Sequence, residues 1–138
     1  MIAATYALSA AGLAATGYAF TQDWLDATTQ TACWSAIFFF ASAAASSAYL
    51  TVSEVFPLEM RAVAVSLFYA IGTGAGGFVA PALFGALIAS GSREAVFAGY
   101  LLGATLMAIA AGVAALYAVP AERRPLEEVA APLSSVDE

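Results

Sequence analysis

Four long stretches of this sequence carry no charge: Ile2–Phe20, Thr28–Ser53, Ala62–Ser92 and Ala95–Val119. Each reaches the roughly 20 residues that a helix needs to cross about 30 Å of hydrocarbon. Backbone groups in lipid must be satisfied within their own segment, so the expected form is helical. The polar/apolar alternation of a barrel strand is missing. The pattern predicts an all-α integral membrane fold with four transmembrane helices over about 2–20, 33–55, 62–90 and 95–119. Polar joints fall at Thr21–Thr31, Phe56–Arg61 and Gly91–Glu94. Met1–Phe20 lacks a basic leading region and a small-residue cleavage site, so it reads as a span and not as a signal peptide. The segment 120–138 is acidic and holds Pro125 and Pro132, which predicts a disordered cytoplasmic tail.

Composition narrows the classes further. Hydrophobic residues make up 62% of the 138 positions, charged residues 10%, and the mean hydropathy is +0.86. A soluble domain carries about 25% charge. There is no His and no Lys, and one Cys, Cys33. That removes His-based dyads, His or thiolate metal sites and lysine chemistry, so no cofactor and no enzymatic activity are expected. A net charge of −6 with four Arg argues against nucleic acid.

The arginines set the orientation. Arg61, Arg123 and Arg124 share one side of a four-span chain and Arg93 lies on the other, so the first side is cytoplasmic by the positive-inside rule. Both termini then face the cytoplasm, across a cell (plasma or inner) membrane. Tyr18, Trp24 and Trp34 would sit at the outer interface, with Phe56 and Tyr117 at the inner one.

Within the spans, small and hydroxyl residues recur at helical spacing. Ser35, Ser42, Ser46, Tyr49 and Ser53 form one stripe of the second span, opposite Ile37, Phe38, Ala41, Ala44 and Ala48. Such a stripe faces protein or a water-filled cavity in preference to lipid: either interhelical packing or one wall of a polar pathway. Ser66, Tyr69 and Thr73 of the third span offer a second wall, and Thr5, Ser9, Gly12 and Thr16 of the first a third. Gly72, Gly76, Gly77, Pro81 and Gly85 make a close-packing face or a flexing gate in the third span. Gly99 and Gly103 form a packing pair in the fourth. No span holds a charge near its centre, and Glu54 is the deepest.

At the second joint the sequence becomes recognisable. Ser53-Glu54-Val55-Phe56-Pro57-Leu58-Glu59-Met60-Arg61 resembles the cytoplasmic end of the tenth helix of the major facilitator superfamily, closest to its sugar porter and metabolite–proton symporter branches. Pro120-Ala121-Glu122-Arg123-Arg124-Pro125-Leu126-Glu127-Glu128 is similar to the tail motif of the same branches, two spans later. The resemblance covers essentially the whole chain, as helices nine to twelve of a twelve-helix transporter. It implies a C-terminal fragment whose partners are the lipid bilayer, the missing N-terminal transporter helices and a small-molecule solute, with proton coupling left open. It also implies a cytoplasmic gate at Glu54, Glu59 and Arg61, and a substrate cavity near Tyr49, Ser46, Ser42, Tyr69 and Thr73. The family's G-P-x-P-W pattern is replaced by Ala45, Ser46, Ser47 and Ala48, and its Asn or Gln after the arginine by Gly72, so no substrate is named. The competing readings are a complete four-helix protein, such as a small dimeric exporter, or a non-transport membrane subunit.

Orientation is directly testable. Topology reporters fused after residues 26, 59 and 130 should read outside, cytoplasmic and cytoplasmic. A cytoplasmic signal at 26 would refute the assignment.

Overall fold

The computed structural model describes residues 1–117. The expected tail over 120–138 lies outside the described residues. The chain is all-helical: α1 (Ile2–Thr21), α2 (Ala27–Val55), α3 (Leu58–Ala89) and α4 (Arg93–Tyr117). Three of them, α2, α3 and α4, are long and apolar enough to cross a membrane. At about 1.5 Å per residue the 20 residues of α1 also extend roughly 30 Å, but their Ser, Thr, Gly and Tyr content lowers its hydropathy. The α2, α3 and α4 helices begin before the expected spans, at 27, 58 and 93, because hydrocarbon thickness limits the span and not the helix. The α2 helix begins at Ala27 because Asp26 caps it. The Asp26 Oδ1 accepts from the Thr29 N–H at 2.7 Å, and the Thr29 hydroxyl accepts from the Asp26 N–H at 3.0 Å. The Thr29 amide holds the Asp26 carboxyl below its ordinary range. A depressed native value means that the cap stabilises at neutral pH and is lost as pH falls through that value. Pro57, lacking an N–H, stands at the start of α3, where that donor is not needed.

Residue pairings show an antiparallel up-down arrangement. Gly17 and Leu13 of α1 meet Tyr100 and Gly103 of α4, and Gly12 meets Ile37 of α2. The α1 helix is the central element, packed against α4 most extensively and against α2 next. Two of its hydroxyl residues are interior. Ser9 is 1% exposed and Thr16 is 6% exposed, and each hydroxyl donates to its own helix, at Thr5 O and Gly12 O. They therefore form a packing face and not a wall of an open pathway. Small residues permit this approach. A Cβ on Gly17 would lie 2.6 Å from Tyr100 Cβ, and one on Gly103 would lie 2.9 Å from Leu13 Cδ2. Gly99 and Gly103 serve two different neighbours, for Gly99 meets Leu87 and Phe84 of α3.

The α3 helix is attached differently. It meets α2 near its start, where Phe68 lies 6.3 Å from Phe56 between ring centroids. It meets α4 near its end, through Phe84 and Leu87. Between these contacts every residue from Ala70 to Ala82 is exposed, and the helix runs unbroken past Pro81. At the opposite end of the bundle the first and third joints are tied together. Asp23, in the left-handed region at φ 60°, accepts from Arg93 Nη1 at 2.7 Å. Asp tolerates that backbone conformation better than most residues do.

The glycines rank by what surrounds them. Gly17→Ala should destabilise the bundle by about 1–3 kcal/mol, since Tyr100 Cβ cannot move aside as a side-chain tip can. Gly103→Ala should cost less, because Leu13 can rotate. Gly112→Ala, with open space around it, should be neutral or stabilising. Denaturant titration in mixed micelles measures all three, and equal losses at Gly17 and Gly112 would contradict the packing.

Candidate functional site

Two regions of the bundle carry side chains that could meet a small molecule. The first is the outward face of α2 and α3. The aliphatic side of α2 packs inward: Ile37 contacts the Gly12 position, and Ala44 is fully buried. The hydroxyl stripe on the other side therefore turns away from α1. Ser42, Ser46 and Tyr49 are exposed on α2, as are Tyr69 and Thr73 on α3. Phe38, grouped with the aliphatic side by spacing, is instead 73% exposed. Of the expected cavity residues, the structure brings Tyr49 and Tyr69 together, with ring centroids 6.0 Å apart and planes at 47°. Ser35 and Ser53 bond back to their own helix. The stripe makes no interhelical hydrogen bond among the described residues. Gly72, Gly76, Gly77 and Gly85 have nothing within 4 Å of an added Cβ, and Pro81 is exposed beside them. Within the described residues, this small-residue face of α3 is open.

The expected gate residues sit around the α2–α3 junction at Phe56 and Pro57. Glu54 and Arg61 are half-buried and Glu59 is exposed in the first turn of α3. Among the described residues they form no ion pair with one another; the ion pair present is Arg93–Asp23. The Nε of Arg61 is buried and has no hydrogen-bond partner among the described residues. A buried guanidinium N–H without an acceptor is costly.

The second region is a cavity of about 650 Å³ where α1, α2, α4 and the end of α3 converge. Its wall is largely apolar, built from residues such as Leu13, Phe84, Ile88 and Val96, with the polar Tyr100 among them. Tyr100 is 4% exposed. Its hydroxyl accepts from Gln30 Nε2 at 2.8 Å and from Trp34 Nε1 at 2.9 Å. With both lone pairs used, its own O–H remains as a donor. At the mouth, Arg93 Nη1 donates to Phe20 O at 3.2 Å, and the guanidinium lies 5.4 Å from the Phe20 ring centroid. None of this constellation stood out as a site in the sequence. By sequence Trp34 reads as an interfacial anchor, and nothing singles out Tyr100. The available signal was a large aromatic at 100 flanked by Gly99 and Gly103, the spacing that lets a bulky ring sit against another helix. A second, smaller cavity of about 400 Å³ lies at the other end of the bundle, between Tyr6, Thr51, Ala110 and Tyr117.

Comparison with known protein families, with characterised proteins and with solved structures returns no match for this chain.

The Tyr100 cluster generates a measurable coupling. Tyr100→Phe leaves the Gln30 and Trp34 N–H groups without their acceptor in an apolar cavity, which should cost about 1–3 kcal/mol. Trp34→Phe alone should cost less, and the double variant clearly less than the sum. A coupling near zero in that cycle would show that the hydrogen bond contributes nothing.

Proposed function

We propose that this chain forms the last four membrane spans of a secondary active transporter of the major facilitator type, moving a small solute by alternating access. The observation that carries this reading is the asymmetry of the bundle. The α1 helix packs closely along α4 and less extensively along α2. Meanwhile α2 and α3 present hydroxyls at Ser42, Ser46, Tyr49, Tyr69 and Thr73, and a glycine surface at Gly72, Gly76, Gly77 and Gly85, on a side without a partner in the described residues. Polar groups on a lipid-length helix are costly against hydrocarbon and useful against a water-filled path. A transporter half has such a face, because solute binds near the midplane between two helical halves. In this proposal α1 is the fourth span, both termini are cytoplasmic, and the missing helices cover the open face of α3.

The unpartnered Nε of Arg61 supports a role at the cytoplasmic gate. An acceptor supplied by the other half in one conformation and withdrawn in the other would bias the two-state equilibrium. Glu54 and Glu59 carry the complementary charge at the same junction. Tyr49, paired with Tyr69, offers ring and hydroxyl to the solute.

Two measurements test the proposal. Reconstituted in liposomes under a proton gradient, the chain by itself should show no saturable uptake of sugars or organic acids. Gradient-driven uptake by the chain alone would overturn the fragment reading. In the longer transporter, Glu54→Gln and Arg61→Ala should lower turnover by shifting the conformational balance about 1–3 kcal/mol, while affinity in a crosslinked conformation stays near wild type. Tyr49→Ala should weaken binding itself. The opposite pattern would reverse the gate and cavity roles.

A further inference from the structure

The cavity at Tyr100 is separate from the open α2–α3 face and has its own chemistry. We propose that it binds the glycerol backbone and one acyl chain of a zwitterionic glycerophospholipid, with the phosphate on Arg93 and an ester carbonyl on the Tyr100 hydroxyl. The inference rests on the membrane character of the chain and not on transport.

Four observations carry it. The Tyr100 O–H is the donor left over after Gln30 and Trp34 occupy both lone pairs, and it belongs to a side chain 4% exposed on the cavity wall. A buried donor of this kind requires an acceptor without a competing proton, which an ester carbonyl is. Arg93 stands seven residues earlier on α4, two turns away on the same helical face and about 10 Å along the axis. Phe20 bridges the two, its ring 6.2 Å from that of Tyr100 and 5.4 Å from the guanidinium. Arg93 uses only Nη1, toward Asp23 and Phe20; its Nη2 and Nε have no partner among the described residues. Those two N–H groups make the fork that grips a phosphate. Finally, the wall between Arg93 and the interior is hydrocarbon-like, at Leu13, Phe84, Ile88 and Val96, and about 650 Å³ is a volume that takes a bound chain and not merely water.

The charges around the mouth select the headgroup. Asp23 lies 2.7 Å from Arg93, Glu94 is the next residue, and Asp26 follows in the same joint. One cation paired with Asp23, and with Glu94 and Asp26 in the same two joints of the sequence, disfavours a net anionic lipid. It accommodates a headgroup whose phosphate meets Arg93 while its ammonium lies toward the acids.

Native mass spectrometry of the purified chain, titrated with dioleoylphosphatidylcholine or dioleoylphosphatidylglycerol in detergent, decides the matter. One phosphatidylcholine should be retained per chain, about tenfold more tightly than phosphatidylglycerol. Inorganic phosphate should not compete, which separates the lipid from a free anion. Arg93→Gln should weaken phosphatidylcholine retention about tenfold. Asp23→Asn breaks the same ion pair but keeps the cation, so it should retain phosphatidylcholine and improve phosphatidylglycerol binding. Tyr100→Phe should also weaken retention, and its circular dichroism melt shows whether the bundle has survived. If Arg93→Gln and Asp23→Asn reduce retention equally, the ion pair is structural only and the proposal fails. It fails also if the two lipids bind alike, or if neither is retained.

Discussion

The distance of closest approach between α1 and α4 governs this structure. At Gly17 the backbone of α1 lies so near Tyr100 that no side chain could stand between them. Lipid supplies no hydrophobic force to bring helices together, so dispersion contacts at such points must do it. The approach has two effects at once. It turns the hydroxyls of Ser9 and Thr16 into an interior they can tolerate only by bonding to their own backbone. It also holds the Tyr100 ring where two N–H donors of α2 converge on its oxygen. The packing seam and the polar cluster are thus one device, in which a missing side chain on one helix sets the position of a large one on the other.

That coupling explains which parts of the molecule were legible in the sequence. The helices were, because charge-free stretches of lipid length admit one regular structure. Their ends were less so: Ala27 begins α2 because of a reciprocal pair of hydrogen bonds between Asp26 and Thr29, a local device that hydropathy does not register. Periodicity separated the two sides of α2, with Ala44 buried and Ser42 and Ser46 exposed. It could not say which polar stripe would be interior. Ser9 and Thr16 have the same spacing logic as Ser42 and Ser46 and the opposite fate, because α1 packs extensively along both α4 and α2, while α2 packs along α1 and meets α3 only slightly.

The Tyr100 site was illegible for a related reason. Gln30 and Trp34 come from α2, Arg93 and Tyr100 from α4, and no short motif contains them. Their proximity follows from the antiparallel pairing of α1 with both α2 and α4, in which Gly17, Tyr100 and Trp34 fall at the same height. The ion pair between Asp23 and Arg93 at the bundle end is the visible part of that register. It is exposed, so it adds little stability, yet it marks two joints as neighbours on one side.

The attachment of α3 has a mechanical meaning. A rod fixed near both ends and free between them is a beam, and its softest motion is a bow with the largest displacement at mid-length. The free length here, Ala70 to Ala82, contains four glycines and, near its end, a proline that removes a rung of the helical ladder. Stiffness is therefore lowest where lateral support is also absent. Forces applied at the Phe56–Phe68 contact or at the Phe84–Gly99 contact would be relieved in the middle of α3, leaving the packing of α1 on α4 and α2 in place.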